Sequence, residues 1–284
     1  MRSFHQTSSI DHRFARARHL KPRTIAKGPT VTFELIGFDA DDTLWHNERS
    51  YQDARARFGR LLAAAGVTLD DDALEARVNR AEVANLPFYG YGVSSFALTL
   101  IETAIDLAAG RIAGTHLLEI IDLAKQMLSE DVELFPNVSD VLVKLSAEYP
   151  LMLITKGDLL HQTSKVARSG LRDCFRYVEV VSHKTPEVYA TILERHRIDP
   201  RRFLMVGNSL RSDVLPVVEL GGSAIHVPAA LSWSHEHVED VPVHIKRRYT
   251  EAAALNELPE IVERLSRTLP SQPTEPAAGR RRPV

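Results

Sequence analysis

Two carboxylates stand two residues apart at the end of an apolar run. The run Phe33-Glu34-Leu35-Ile36-Gly37-Phe38 leads into Asp39-Ala40-Asp41-Asp42-Thr43-Leu44. In an extended segment residues i and i+2 point the same way, so Asp39 and Asp41 can serve one site. If the run is a strand of an open α/β sheet, that site lies at the carboxyl edge, where such folds place ligands. Grouped negative charge there needs a compensating cation or positive cluster. The arrangement suggests Mg²⁺ and a phosphate ester.

Four more positions fall at the ends of later apolar runs. Thr155 ends Leu151-Met152-Leu153-Ile154, and Lys184 follows Val180-Val181-Ser182-His183. Asn208 and Asp213 follow Leu204-Met205-Val206-Gly207. In a parallel sheet these ends share one edge. A lone Thr after a strand usually caps a helix, and a lone Lys is usually solvated. Their occurrence together in this order is the stronger observation.

The elements that must position them follow from periodicity. Strands are expected at Val31–Phe38, Leu151–Thr155, Tyr177–Ser182, Phe203–Gly207 and Ala224–Val227. Several are continuous Val/Ile/Leu/Met, as strands covered on both faces are. Helical patterns alternate with them at Asn137–Glu148, Leu159–Ser169, Glu187–His196, Arg211–Leu220 and Glu251–Leu265. Alternation implies a parallel sheet with right-handed crossovers. About ninety residues after the first strand break this rhythm and read as helices: Tyr51–Ala65, Asp71–Ala84, Ser94–Ala109 and Thr115–Ser129. The stops are Gly66, Leu86-Pro87 and Gly110. So long a connection is expected to be a domain of its own. The expected fold class is α/β, a Rossmann-like parallel core with an inserted helical cap. The core takes residues 31–46 and 135–267, and the cap takes 47–134.

Composition narrows the class. Charged residues make up 25% of the 284-residue chain, as in ordinary soluble globular proteins, and no apolar run is long enough to span a membrane. The single cysteine, Cys174, excludes an internal disulfide and a thiolate zinc cluster, so a reducing cytoplasm is the expected compartment. Residues 1–30 hold seven Lys/Arg against Asp11, with no apolar stretch of the kind a secretory signal carries. Residues 1–30 and 268–284 are expected to be disordered basic ends. Neither nucleic acid nor a membrane is an expected partner. Nothing in the pattern sets an oligomeric state.

With these residues in view, the chain resembles the haloacid dehalogenase superfamily, whose phosphatases carry four short motifs. Phe38-Asp39-Ala40-Asp41-Asp42-Thr43-Leu44 looks like the first, Leu153-Ile154-Thr155-Lys156-Gly157 the second, Lys184-Thr185-Pro186-Glu187 the third, and Gly207-Asn208-Ser209-Leu210-Arg211-Ser212-Asp213 the fourth. The resemblance runs from about Val31 to Leu265, and the insert is similar to a C1-type cap. It implies a phosphomonoester hydrolase of a small phosphorylated metabolite. Asp39 is then the nucleophile that forms an aspartyl-phosphate, and Asp41 the general acid and base, with the higher pKa of the two. Thr155 and Lys184 hold the phosphoryl group. Mg²⁺ binds Asp39, Asp213 and the main-chain carbonyl of Asp41, with the Asn208 amide beside it.

Two positions depart from the pattern. Asn208 stands where many members have Asp, which predicts weaker Mg²⁺ binding. Lys156 stands where Asn is frequent; it either adds a second cation near the phosphate or points to solvent. Lys184 lacks the Lys-Pro-x-Pro surroundings common in the family. The rival functions are a 2-haloacid dehalogenase, a phosphomutase and a non-catalytic binding protein on the same core. A dehalogenase has no need of Asp41, because halide leaves without a proton. Trp45 and His46 either touch substrate or pack beneath the cap. Phe88-Tyr89-Gly90-Tyr91-Gly92 is either a specificity loop or a helix connector. His235-Glu236-His237 lacks the spacing and third ligand of a zinc site.

Overall fold

The computed structural model describes residues 32–238, 241, 243–246 and 248–269. The basic ends expected to be disordered lie outside these residues, apart from positions 268 and 269.

Six parallel strands form one sheet: β1 (Leu35–Phe38), β2 (Leu151–Lys156), β3 (Tyr177–Val181), β4 (Phe203–Gly207), β5 (Ser223–His226) and β6 (Tyr249–Glu251). Their order is β3-β2-β1-β4-β5-β6. The chain builds outward from β1 on one side, then returns to β1 and builds outward on the other. A ligand crevice opens where the direction of building reverses, at the carboxyl ends of the strands. Register aligns those ends, with Phe38 beside Leu153 on one side and Val206 on the other.

Side-chain alternation explains why the strands read as continuous apolar runs. Ile36, Phe38, Leu151, Leu153, Leu204 and Val206 pack on one face against α5 (Val138–Ser146) and α10 (Leu258–Ser266), the last helix among the described residues. Leu35, Met152, Ile154, Phe203 and Met205 pack on the other against α7 (Pro186–His196) and Val217 of the short helix α8 (Leu215–Glu219). Gly37 lies on that second face. A methyl there would approach the Phe203 ring to 2.6 Å, so the bare backbone makes room for the aromatic ring.

Four helices enter between β1 and α5: α1 (Glu48–Ala64), α2 (Asp71–Tyr89), α3 (Val93–Leu107) and α4 (Gly114–Ser129). They close around an apolar cluster of their own, with Phe58, Val78, Phe96, Leu100 and Ile120 at its centre. Asp70 caps α2 by accepting from Ala73 N.

Local structure differs from the sequence expectation in four places. β1 begins at Leu35 instead of Val31, because its neighbours offer partners only from Leu151 and Phe203 onward. α2 runs through the expected stop at Leu86-Pro87 to Tyr89. Pro87 sits near the helix end, where one missing bond matters little, and Gly90 at φ +68° closes the helix by donating to Leu86 O. Glu251 is not the start of the last helix. Residues 249–251 extend the ladder beside β5, Ala252 N donates to His226 O at 2.9 Å, and the helix waits for Leu258-Pro259. The expected helix Arg211–Leu220 opens as a π-turn over Leu210–Val214. Pro216 cannot donate back to Ser212, and the Tyr189 hydroxyl donates to Ser212 O at 3.1 Å instead. Between α8 and α10 there is also a single helical turn, α9 (Val243–Lys246).

Candidate active site

The loops at the carboxyl edge deliver the seven singled-out side chains to one cavity. Asp39, Asp41, Thr155, Lys156, Lys184, Asn208 and Asp213 all line a space of about 140 Å³ between the sheet edge and the inserted helices. Asp39 follows β1, and its N–H donates to Val206 O at 2.9 Å, which locks this loop to β4.

Lys184 is the centre of charge. Its buried ammonium donates to Asp39 Oδ1 at 2.5 Å and to Asp213 Oδ1 at 2.7 Å. The second oxygen of Asp39 accepts from the Thr43 hydroxyl at 2.7 Å, and that of Asp213 from Ser209 N at 3.0 Å. Burial opposes the charge on Lys184, but the two carboxylates hold its pKa above the ordinary lysine range. Burial also pushes Asp39 up to about 6, against the pull of Lys184 and with a contribution from Asp213. Two buried carboxylates thus share one cation. Asp213 can lie against the strand end because residue 207 is glycine: a Cβ there would meet its carboxylate at 2.3 Å.

Asp41 is held separately. Its oxygens accept from Trp45 Nε1 at 2.6 Å, from Gln162 Nε2 at 2.8 Å and from the Lys165 ammonium. Lys165 also donates to Asn47 Oδ1 at 2.9 Å. Burial works against the Asp41 carboxylate, yet Lys165 and the other two donors keep its pKa below the ordinary range. The expected order of the two pKa values is therefore reversed in this arrangement. The reason is Lys165, on α6 (Leu159–Arg168), which the sequence reading did not single out. Trp45 is fully buried and serves Asp41 with its indole N–H, while His46 stacks 4.1 Å from the Phe135 ring. Asp42 turns the chain at φ +59° and accepts from the N–H groups of Asn47 and Glu48 at the start of α1.

Lys156 does not point to open solvent. Its ammonium donates to Glu236 Oε1 at 2.5 Å and lies 4.1 Å over the Tyr91 ring. Glu236 Oε2 accepts from Ser209 at 2.6 Å and Ser212 at 2.7 Å. Burial opposes this carboxylate, but Lys156 and the two hydroxyls pull it down to about 2. Glu236 lies in the middle of the His-Glu-His run, whose histidines turn elsewhere: His235 packs on Trp233 and His237 pairs with the Ser232 hydroxyl. Tyr91, Gly90 and Gly92 line the cavity, and Phe88 is exposed.

One polar atom at the core end has no partner. Thr155 lines the cavity and is fully buried, and its hydroxyl has no hydrogen bond among the described residues. The oxygen donors there are of the hard kind that a small divalent cation takes: the carboxylates of Asp39 and Asp213 and the amide of Asn208. No group of three or more His, Cys, Asp or Glu side chains forms a complete metal cage among the described residues. Mg²⁺ suits that incomplete set, because it retains several waters and uses few protein carboxylates.

A family model described as haloacid dehalogenase-like hydrolase matches residues 33–221, two-thirds of the chain. The chain belongs to the haloacid dehalogenase-like hydrolases. A crystal structure of a haloacid dehalogenase-like family hydrolase from Xanthomonas campestris is 36% identical, with a TM-score of 0.74 over 85% of this chain and 95% of that one. A glyceraldehyde 3-phosphate phosphatase from Methanothermobacter thermautotrophicus is 32% identical over 112 residues, 37% of this chain. The match spans about half the length of that relative. A 2-haloacid dehalogenase from Pseudomonas syringae pv. Tomato shares the fold at 21% identity, with a TM-score of 0.56 over 82% of this chain and 100% of that one. No helix among the described residues is long and apolar enough to cross a membrane.

Proposed function

We propose that this hydrolase is a Mg²⁺-dependent phosphatase that cleaves phosphomonoesters of small metabolites through an aspartyl-phosphate. The observation that carries the reading is the trio Asp39, Lys184 and Asp213, joined directly in one cavity with the unpaired hydroxyl of Thr155. An Asp39 oxygen attacks phosphorus and the ester oxygen leaves. Asp41 gives that oxygen a proton, then takes one from the water that splits the acyl-phosphate and releases inorganic phosphate. The ionised Asp41 described above matches the second step directly. For the first it must carry a proton, which it takes up from solvent before the ester bond breaks. Lys184 and Thr155 take the phosphoryl oxygens. Mg²⁺ would be held by Asp39, Asp213, the Asn208 amide and the Asp41 carbonyl, and would neutralise phosphoryl charge.

Helices α1–α4 act in this reading as a cap over the core of residues 31–46 and 135–267, and the protein works in the cytoplasm. The phosphatase named among its relatives supports the phosphoester class. Three donors devoted to Asp41 favour it over dehalogenation, in which the halide leaves without a proton.

The test is phosphate release from p-nitrophenyl phosphate by the purified chain, with Mg²⁺ and with EDTA. Release that needs the metal and disappears in Asp39→Asn is the expected result. Turnover retained by Asp39→Asn rejects the nucleophile assignment.

A further inference from the structure

The cavity has a second end, away from Asp39 and walled by the inserted helices. There the Arg55 guanidinium of α1 lies between two carboxylates, donating to Glu48 Oε1 at 3.0 Å and to Glu82 Oε2 at 3.1 Å. It also lies 5.3 Å over the Phe96 ring. Two polar atoms in this wall are buried without a partner among the described residues: Arg55 Nε and the hydroxyl of Ser95. Ser95 is only 5% exposed. Arg55, Glu48, Glu82 and Ser95 all line the cavity that holds Asp39 and Lys184. Leaving a buried donor unpaired is unfavourable. Unpaired donors thus stand at both ends of one cavity, Thr155 at the phosphoryl end and Arg55 with Ser95 at the other. A single elongated ligand lying along the cavity would stand beside both sets.

Charge and valence define what the far end accepts. Two carboxylates face one guanidinium, so the wall keeps one net negative charge. Each η nitrogen of Arg55 already serves a glutamate. A carboxylate-bearing alcohol brought here would meet Glu48 and Glu82, and like charges in a buried site repel strongly. A neutral hydroxylated chain fits both halves of the pattern. Its oxygens accept from Arg55 Nε and the Ser95 hydroxyl, and its own O–H groups donate to glutamate oxygens that Arg55 does not use. The space of about 140 Å³ is well below the roughly 300–1,000 Å³ of drug-sized pockets, which restricts the chain to a few carbons.

We infer that Arg55, Glu48, Glu82 and Ser95 form a subsite for the alcohol part of the substrate, selecting a short, neutral polyol or hydroxycarbonyl chain and rejecting a carboxylate. The inference rests on the phosphatase reading and adds the class of substrate.

The experiment compares kcat/KM for glycerol 3-phosphate, 2-phosphoglycolate and p-nitrophenyl phosphate in the full chain, the Ser95→Ala variant and the Glu82→Gln variant. The wild type is expected to favour the glycerol ester over phosphoglycolate by about tenfold or more, the worth of one well-made buried hydrogen bond. Ser95→Ala should lower kcat/KM for the glycerol ester mainly through KM. Glu82→Gln should narrow the preference by raising use of phosphoglycolate. Phosphate release from p-nitrophenyl phosphate without a preference for the glycerol ester overturns this inference alone. A preference that neither variant moves overturns the assignment to these residues. No release from any of the three esters overturns the phosphatase reading, and this inference with it.

Discussion

Replacing Glu236 by Gln tests whether the loop after β5 is clamped to the site by charge. The Glu236 and Lys156 side chains are each 16% exposed, and the carboxylate is drawn from the ordinary 4.5 to about 2. Each tenfold change in proton affinity is about 1.4 kcal/mol, so the ionised group stabilises the fold by about 3 kcal/mol, nearer 2 once residual water access is allowed for. A depressed folded pKa gives stability that is fully present above the unfolded value of about 4.5 and is lost as pH falls through about 2. Gln keeps the shape and loses the charge. At pH 7 the variant should melt about 4–8 °C below the wild type, taking about 2–4 °C per kcal/mol for a domain of this size. By pH 3.5 the difference in unfolding free energy should shrink by about two-fifths, because the wild-type group has begun to lose its advantage. Thermal melts and urea titrations at both pH values measure this. A variant within 1 °C of wild type at pH 7, or a deficit that does not change with pH, refutes the clamp.

Two further outcomes bear on the site itself. Lys165→Met breaks a buried pair and should destabilise the chain by roughly 3–5 kcal/mol at pH 7; adding Asp41→Asn should restore most of that, and a double variant as unstable as the single one rules out the pairing as the cause. Asn208→Asp supplies the charge missing beside Asp39, so the Mg²⁺ concentration for half-maximal activity should fall several-fold, and the melting temperature should rise further with added Mg²⁺ than in the wild type; a metal titration identical to wild type separates Asn208 from the metal.

The parallel core was legible because strands covered on both faces have few ways to be written. Leu151–Ile154 and Phe203–Val206 are unmistakable apolar runs, and the chemistry-bearing residues follow them directly. β6 was not legible: Tyr249-Thr250-Glu251 is three residues long, polar at two positions, and specified by the edge of β5 and not by its own pattern. Lys165 was hidden for a related reason. Helix α6 exposes Leu159 and Leu160 and buries Gln162 and Lys165, the inverse of an ordinary amphipathic helix. Only the partner, Asp41, makes that burial favourable, and the pairing spans more than a hundred residues of sequence. Glu236 was obscured by its two histidine neighbours, which drew attention to metal ligation. Arg55 sits in a run of charged residues on α1 that reads as a solvated face until α2 and α3 close over it.

The missing side chain at position 207 ties the end of β4 to the charge cluster. Asp213 is short and doubly anchored, by Lys184 and by Ser209 N, so it cannot step aside for an added methyl. A Gly207→Ala lesion therefore strikes the anion that Lys184 shares with Asp39 before it strikes the sheet. The sheet edge and the charge cluster are thus built on one shared vacancy, and a side chain at 207 would have to displace the carboxylate of Asp213.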